Sequence, residues 1–565
     1  MTEAMNCKSC KREFAVEPED FDFYKKISVP PPTWCPDCRQ QRRYAWRNER
    51  VLYRRKCDLC GKSTVTIYSP NKPYKVYCPP CWWSDKWDSY GYGRDFDFGK
   101  TFTEQFYELQ LAAPRIALLT KNSVNSEYTN HSGEDRNCYL CFGTFEGEND
   151  MYCTNMYGGK TRDCCDCYRI TGGGELLYEC VDTEKSYNCQ YGRLLRSCVD
   201  CYYAFDCRNC KKCFMCSNLR NKEYCFLNKQ YSKEDYQKKL EEYKLSSYKT
   251  REKLYKEWLE LMEKSLHRFS VIENSVNVSG NMISNSKNSY HIFDGNDIED
   301  SKYSHLSLDM KNSYDFYHVG IKCELVYEGH GMVRDYNVHF CHLCYDNSNL
   351  EYCDTCHNSE NLFGCVSVKK GSHAIFNKRY EKGEYEELRK KIVEHMKATG
   401  EYGEYLSPKI SPIGYNETQG IIYMPITEEE VRKRGWKWEK EVPGTFGKET
   451  IKPEDIPDDI KDVGDSITKE VFMCLSCSRN YNIIQPEIQL YKRLGVPVPR
   501  LCPDCRYRRK IAIRPPRKLW HRQCMCELKH GHHSGGRCPN EFETPYSPGR
   551  PEMVYCEECY NAEVV

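Results

Sequence analysis

Cysteines at the two ends of the chain fall into pairs spaced for metal chemistry. Cys7/Cys10 and Cys35/Cys38 are C-x2-C knuckles with 24 residues between them, and Cys57/Cys60 and Cys78/Cys81 are a second set with 17 between. The C-terminal end repeats both spacings, with Cys474/Cys477 and Cys502/Cys505, then Cys538 followed after 17 residues by Cys556/Cys559. A C-x2-C turn aims two sulfurs at one ion, and two such turns supply the four ligands of tetrahedral zinc. Four thiolates leave no open coordination position, so the chemistry expected of these sites is structural. The alternatives are a rubredoxin-like iron site and unligated thiols. Four sites are expected: Cys7/Cys10/Cys35/Cys38, Cys57/Cys60/Cys78/Cys81, Cys474/Cys477/Cys502/Cys505 and Cys524/Cys538/Cys556/Cys559. The fourth carries an 11-residue insertion, and Cys526 is an alternative to Cys524. His530, His532 and His533 also lie in this insertion, whose simplest reading is a polar surface loop.

These ligands are positioned by two duplications. From Cys7 to Cys57 the cysteines map onto Cys474 to Cys524 at one offset of 467. The stretch CKSCKREFAVEPEDFDFYKKISVPPPTWCPDCRQQRR resembles the bacterial family called "probable zinc-ribbon" domains. CLSCSRNYNIIQPEIQLYKRLGVPVPRLCPDCRYRRK carries the pattern again, so the resemblance covers about 80 of 565 residues. It implies zinc binding in a ribbon or treble-clef fold and implies no activity. Both copies lack the family's usual E-Q before the FY position.

The middle is duplicated at an offset of 149, as in ELLYEC from Glu175 against ELVYEG from Glu324. Cys180, Cys189, Cys198, Cys207, Cys216 and Cys225 recur every nine residues. This predicts a flattened β-solenoid with two strands per coil and the cysteines in an inward ladder. Asn188, Asn209, Asn337 and Asn358 are candidates for side-chain ladders at turns. In the second copy the six cysteines become Gly329, Val338, Asn347, Cys356, Cys365 and Ala374. Metal ligands do not exchange with Val or Ala, whereas small buried side chains do, so these cysteines are read as core. Additional zinc, or an iron–sulfur cluster at Cys207/Cys210/Cys213/Cys216, are the alternatives.

The expected fold is mainly β with some α. Its segments are a double zinc module (1–95), a connector (96–121), solenoid copy 1 (122–232), a helical segment (233–270), solenoid copy 2 (271–381), a helix (382–400), a linker (401–470) and a second double zinc module (471–565). One short helix is expected in the linker, around TEEEVRKRGWKW.

Each double module contains a basic, aromatic-studded connector. Residues 39–56 hold eight Arg/Lys and one acid, and residues 506–523 hold eight and none. Arginine interleaved with Tyr and Trp suits phosphate contacts and base stacking, so RNA or a ribonucleoprotein is the first expected partner. The candidates are Arg39, Arg42, Arg43, Arg47, Arg506, Arg508, Arg509 and Lys510. The competing expectation is that they pair with acidic neighbours and stitch the modules together, leaving a protein–protein assembly scaffold. The net charge of +1 excludes a globally basic nucleic-acid binder.

The chain has no nucleotide-binding glycine loop, no G-x-S-x-G and no H-E-x-x-H, which argues against an enzyme. The histidines around HFCHLC (His330, His339, His342) and the acids of DGNDIED (residues 294–300) read as solenoid-face residues and a solvated turn. A carbohydrate-active site on the solenoid face, or iron–sulfur redox chemistry, ranks below the non-enzymatic readings. No apolar run approaches a membrane span and no secretory leader is visible, so no membrane partner and a cytoplasmic location are expected.

Overall fold

A computed structural model describes residues 2–534 and 536–564. The chain is mainly β with some α, and two large, parallel-rich sheets of eleven strands each dominate it. The first runs from Phe142 to Gln230 and the second from Ile272 to Arg379. Among the described residues no helix is long and apolar enough to cross a membrane.

The pairing register explains the sequence of both sheets. In the first sheet Gln190 pairs in parallel with Tyr202 and Lys211 with Glu223, and in the second Tyr336 pairs with Ser348 and Ser348 with Glu360. Each partner lies twelve residues along the chain. The intervening triplets pair in the same register, as Arg196 with Arg208 and Val199 with Lys211. Four triplets therefore make one repeat. The backbone marks each one: every third residue from Leu194 to Leu227 has φ between 45° and 56°. This left-handed conformation costs an L-residue roughly 1–2 kcal/mol, and Asn and Asp tolerate it best. Asp200, Asp206, Asn209, Asn218 and Asn221 hold it here, beside Leu194, Tyr203, Lys212 and Met215.

The first residue of each triplet points inward. Leu195, Cys198, Cys201, Ala204, Cys207, Cys210, Cys213 and Cys216 are all buried, as are Val338, Cys341, Cys344, Leu350, Cys353 and Cys356 in the second sheet. The interior is narrow: a Cβ added at Gly192 would stand 2.3 Å from Leu195 Cδ1. Cysteine suits such a position as a small buried hydrophobe, beside larger residues such as Leu195 and Leu350. The C-x2-C spacing of the middle is the triplet itself. The nine-residue period is three triplets, so cysteines nine apart do not stack on one another. The residue above each lies twelve along, and the stacked set is Cys189, Cys201, Cys213 and Cys225, with Cys213 and Cys225 as direct strand partners. This replaces the expected two-strand, nine-residue register.

Asparagine ladders run along the outside at the same step. Asn209 Nδ2 donates to Asn221 Oδ1 at 3.2 Å, and Asn337 to Asn349 at 2.8 Å. Each sheet ends in a short antiparallel strand, Lys229–Gln230 or Lys378–Arg379. Helices Lys233–Glu241 and Tyr248–Lys264 follow the first sheet, and Lys382–Thr399 follows the second.

The segment expected as a linker is packed. Ile410, Ile413, Tyr415, Val431, Ile456 and Ile460 are buried, because apolar residues are interspersed among its prolines and glycines. Its short helix is Glu428–Lys433, where Thr427 accepts from the Glu430 N–H and Glu430 returns the bond in a capping box.

Candidate metal centres and the docking of the basic connectors

Each expected set of four cysteines is assembled, with all four sulfurs within 4.8 Å of one another. The same parts recur in each. An antiparallel strand pair carries the first knuckle, as Glu3–Asn6 with Glu13–Val16 or Trp520–Gln523 with Glu541–Thr544. The third cysteine precedes a helix: Cys35 caps Pro36–Tyr44, Cys78 caps Pro79–Trp83 and Cys502 caps Pro503–Ala512. Proline fits the first helical turn because its missing N–H would have no partner there.

The bonding repeats atom by atom. The N–H of the third cysteine donates to the sulfur of the first at 3.2 Å in all four sets: Cys35 to Cys7, Cys78 to Cys57, Cys502 to Cys474 and Cys556 to Cys524. The second and third sulfurs lie 3.7 Å apart in Cys10/Cys35 and Cys477/Cys502, 3.9 Å in Cys60/Cys78 and 4.0 Å in Cys538/Cys556. A tetrahedron with metal–sulfur bonds of about 2.3 Å has edges of about 3.8 Å. The donor sets therefore fit a four-thiolate ion. Burial opposes ionisation of Cys57, and N–H groups of Cys60, Cys78 and Leu59 overcome it, drawing the thiol down to about 7.

In the fourth set Cys524 and Cys526 differ in position. Cys524 N–H donates to Asn540 O at 2.8 Å, as Cys7 N–H does to Arg12 O at 2.9 Å, so Cys524 occupies the first-ligand position. Cys526 stands where Leu59 stands in the second set, two residues after the first cysteine.

The cysteines of the middle use their sulfurs differently. Cys198 Sγ donates to Cys207 O at 3.2 Å, Cys201 to Cys210 O at 3.5 Å and Cys356 to Cys365 O at 3.5 Å. A thiol that donates to a carbonyl keeps its proton; Cys198 and Cys201 pack in the cluster of Met156, Ile170, Leu177 and Ala204, and Cys356 in that of Val338, Leu350 and Leu362. Cys189→Val, which installs the second copy's Val338, should cost less than about 1.5 kcal/mol as a near volume-conserving change. Metal content should not move. A lost ion in this variant, read by elemental analysis, would make Cys189 a ligand.

The basic connectors run through the interior. Arg39, Arg42, Arg43, Arg47, Arg506 and Lys510 are buried, Arg509 is half-buried, and Arg508 alone of the eight is exposed. Several of the acids they meet are distant in sequence and lie in the regions of the two sheets. Arg39 Nη2 lies 2.9 Å from Asp315 Oδ2, Arg43 Nη1 lies 2.6 Å from Glu328 Oε2, and Arg42 Nη2 lies 2.5 Å from Glu328 Oε1. At the other end Arg506 pairs with Asp166, and Lys510 Nζ lies 3.1 Å from Asp166 Oδ1 and 3.6 Å from Glu179 Oε2. Arg509 pairs with Glu252 at 2.8 Å, and Arg47 pairs with Glu49.

The two duplications mesh at these contacts. Arg39 and Arg43 become Arg506 and Lys510 at the offset of 467, and Asp166 and Glu179 become Asp315 and Glu328 at the offset of 149. Equivalent bases meet equivalent acids, but crosswise. The N-terminal module docks on the second sheet and the C-terminal module docks on the first. Aromatic contacts follow: Tyr24 packs on Tyr327 with ring centroids 5.4 Å apart, and its equivalent Tyr491 packs on Tyr178 at 6.2 Å.

Arg514 and Arg517 were missed as site residues. Arg514 lies 2.9 Å from Asp182 and 2.5 Å from Asp294, tying the two sheets together, and Arg517 lies 2.9 Å from Asp294. The signal was present, since Arg514 is the 467-offset equivalent of Arg47. Asp294 is buried, so DGNDIED does not begin as a solvated turn. Burial opposes its ionisation, and Arg514, Arg517 and Arg169 outweigh that and hold its carboxyl below the ordinary value.

His330, His339 and His342 are buried as well. His342 Nδ1 lies 2.9 Å from Asp354, its ring stacks on His330 at 4.8 Å, and Trp46 of the N-terminal module covers it at 5.3 Å. Burial pushes His330 well below its ordinary value, so it stays neutral packing.

Between the sheets lies a cleft of about 1420 Å³. Phe145, Arg169 and Arg196 line it from one side, and Glu273, Asp294 and Ile321 from the other. Several of its charges are paired with one another: Arg196 with Glu184 at 2.7 Å, Arg208 with Glu273 at 3.0 Å and Arg169 with Asp294 at 3.2 Å.

No family model and no curated protein matches the chain. Among solved structures one match is a protein from Desulfovibrio desulfuricans G20 proposed to be an acetyltransferase. The identity is 7% over 47% of this chain and 69% of that chain, with a TM-score of 0.11. A score that low carries no argument about fold or activity.

Proposed function

We propose that the chain is a non-enzymatic assembly scaffold: two β-solenoid bodies locked by zinc-ribbon-like modules, with a protein partner received in the cleft between them. The observation that carries this reading is the burial of the basic connectors. Arginines expected on phosphate are spent on Asp166, Asp315 and Glu328 of the chain itself. Zinc is the ion best suited to four thiolates closed around a tetrahedron, and its work here is structural. The crosswise docking makes the modules clamps, each holding the sheet distant from it in sequence.

The cleft suits protein better than nucleic acid. Its lining charges are of both signs and several pair with one another, while Trp83, Phe145 and Ile321 expose apolar surface along its walls. Aromatic anchors beside paired charges are the usual furniture of a protein interface. Two measurements test the reading. A labelled single-stranded or hairpin RNA should show no salt-sensitive binding at ~50 mM salt, because Arg39, Arg42, Arg43, Arg506 and Lys510 are already paired inside the chain. A photo-crosslinker at Phe145 should trap a discrete protein, and Trp83→Asp should abolish the adduct. RNA binding that weakens steeply with salt would overturn the proposal in favour of a ribonucleoprotein role.

A further inference from the structure

The insertion in the fourth cysteine set has the geometry of a site of its own. That set is complete without it, because Cys524, Cys538, Cys556 and Cys559 reproduce the bonding of the other three. Cys538 N–H donates to Cys526 O at 2.8 Å, closing the neck of the loop, so the added residues leave and re-enter the knuckle without disturbing it. Inside the loop His530 and His533 exchange two backbone hydrogen bonds of 3.2 Å, a tight turn that sets their rings 5.3 Å apart.

Both imidazoles face sulfur. Cys526 Sγ lies 3.2 Å from His530 Nε2, and Cys559 Sγ lies 3.6 Å from His533 Nε2. The donor atoms of Cys526, His530, His533 and Cys559 all lie within 4.8 Å of one another. Cys526 and Cys559 are fully buried, and His533 Nδ1 is shielded from solvent with no hydrogen-bond partner among the described residues. Cysteine at 526, where the N-terminal module has Leu59, supplies a thiolate that the four-cysteine set does not use.

We propose that this loop binds a second zinc-type dication in a Cys2His2 set, and that Cys559 Sγ bridges it to the ion of the four-cysteine set. A thiolate has the lone pairs to bind two ions at once, and two thiolates with two imidazoles is a common donor set for zinc. Five thiolates then serve two dications through seven residues. His532 Nε2, 3.2 Å from Cys559 Sγ, is placed to donate a hydrogen bond to the bridging sulfur.

The test is metal content of the full chain, wild type against His530→Ala/His533→Ala. The double variant should hold one ion fewer, with the other ions retained. A chain with residues 527–537 deleted and Cys526→Ser, which restores the C-x2-C spacing of the first module, should fold and match that lower count. Equal counts in wild type and both variants would overturn the second site and leave the four-cysteine sets intact. A chain without metal in every form would instead sink the four-thiolate reading, and this proposal with it. Cadmium-113 substitution tests the bridge: the imidazole-containing site should resonate as a doublet coupled through sulfur, lost in the double variant. A singlet would exclude Cys559 as the bridge.

Discussion

Glu328→Gln should loosen the N-terminal metal module and leave the C-terminal one in place. Glu328 is buried and faces Arg42 at 2.5 Å and Arg43 at 2.6 Å, with Arg39 at 3.9 Å. Removing one partner of a buried pair leaves uncompensated charge and typically costs about 3–5 kcal/mol. Hydrogen exchange should rise in the helix Pro36–Tyr44, which carries all three arginines, and not in Pro503–Ala512. Asp166→Asn should do the reverse, since Arg506 and Lys510 converge on that carboxylate. Equal loosening of both modules in either variant would contradict the crosswise docking. A pH dependence follows. Burial raises the Glu328 pKa, but Arg42, Arg43 and Arg39 more than offset it and hold the carboxyl below its ordinary value. Its contribution is therefore complete above the unfolded value of about 4.3 and lost as pH falls through the lower folded value. In Glu328→Gln that part of the acid transition should disappear.

Cys502→Ser should have an effect at least as large. Cys502 is a ligand position, the cap of Pro503–Ala512 and the donor of the 3.2 Å bond to Cys474 Sγ. The binding free energy of a structural zinc ion is roughly 10–16 kcal/mol in small zinc modules at pH 7, and it is folding free energy there. The variant should lose one ion and release Arg506 and Lys510 from Asp166. Protease nicking within residues 471–515 would report that release. Retention of every ion would exclude Cys502 as a ligand.

The four-cysteine sets were legible in the sequence because their spacing is local and each spacing recurs at both ends. The helices that follow each sheet were legible as well, from charged and Leu/Tyr-spaced runs such as Lys382–Thr399. The repeat of the middle was read at the wrong step. Its inward positions accept Cys, Ala, Ser, Gly, Val and Leu alike, so no polar–apolar alternation marks a three-residue period. The left-handed third position is equally hidden, because Leu194, Tyr203, Lys212 and Met215 occupy it beside the asparagines that normally announce it. The fate of the basic connectors was not legible from composition, since Arg43 and Glu328 are 285 residues apart. Composition treats a run of arginines as surface. The two offsets held the answer, for Asp166 and Glu179 recur as Asp315 and Glu328 while Arg39 and Arg43 recur as Arg506 and Lys510. The insertion was noticed as a rival source of one ligand rather than as a second set. Its relation to Cys559 depends on a fold that brings residues 526 and 559 together.

The most direct test of the central claim, that ions sit at the chain's ends while the middle cysteines are core, is elemental analysis of the purified full chain with its absorption spectrum. The account predicts zinc at about four equivalents per chain, or five with the bridged site filled, and no thiolate-to-iron bands in the visible. Iron in the preparation, with absorption near 400 nm that persists when the terminal cysteine sets are mutated, would place metal in the middle and contradict it.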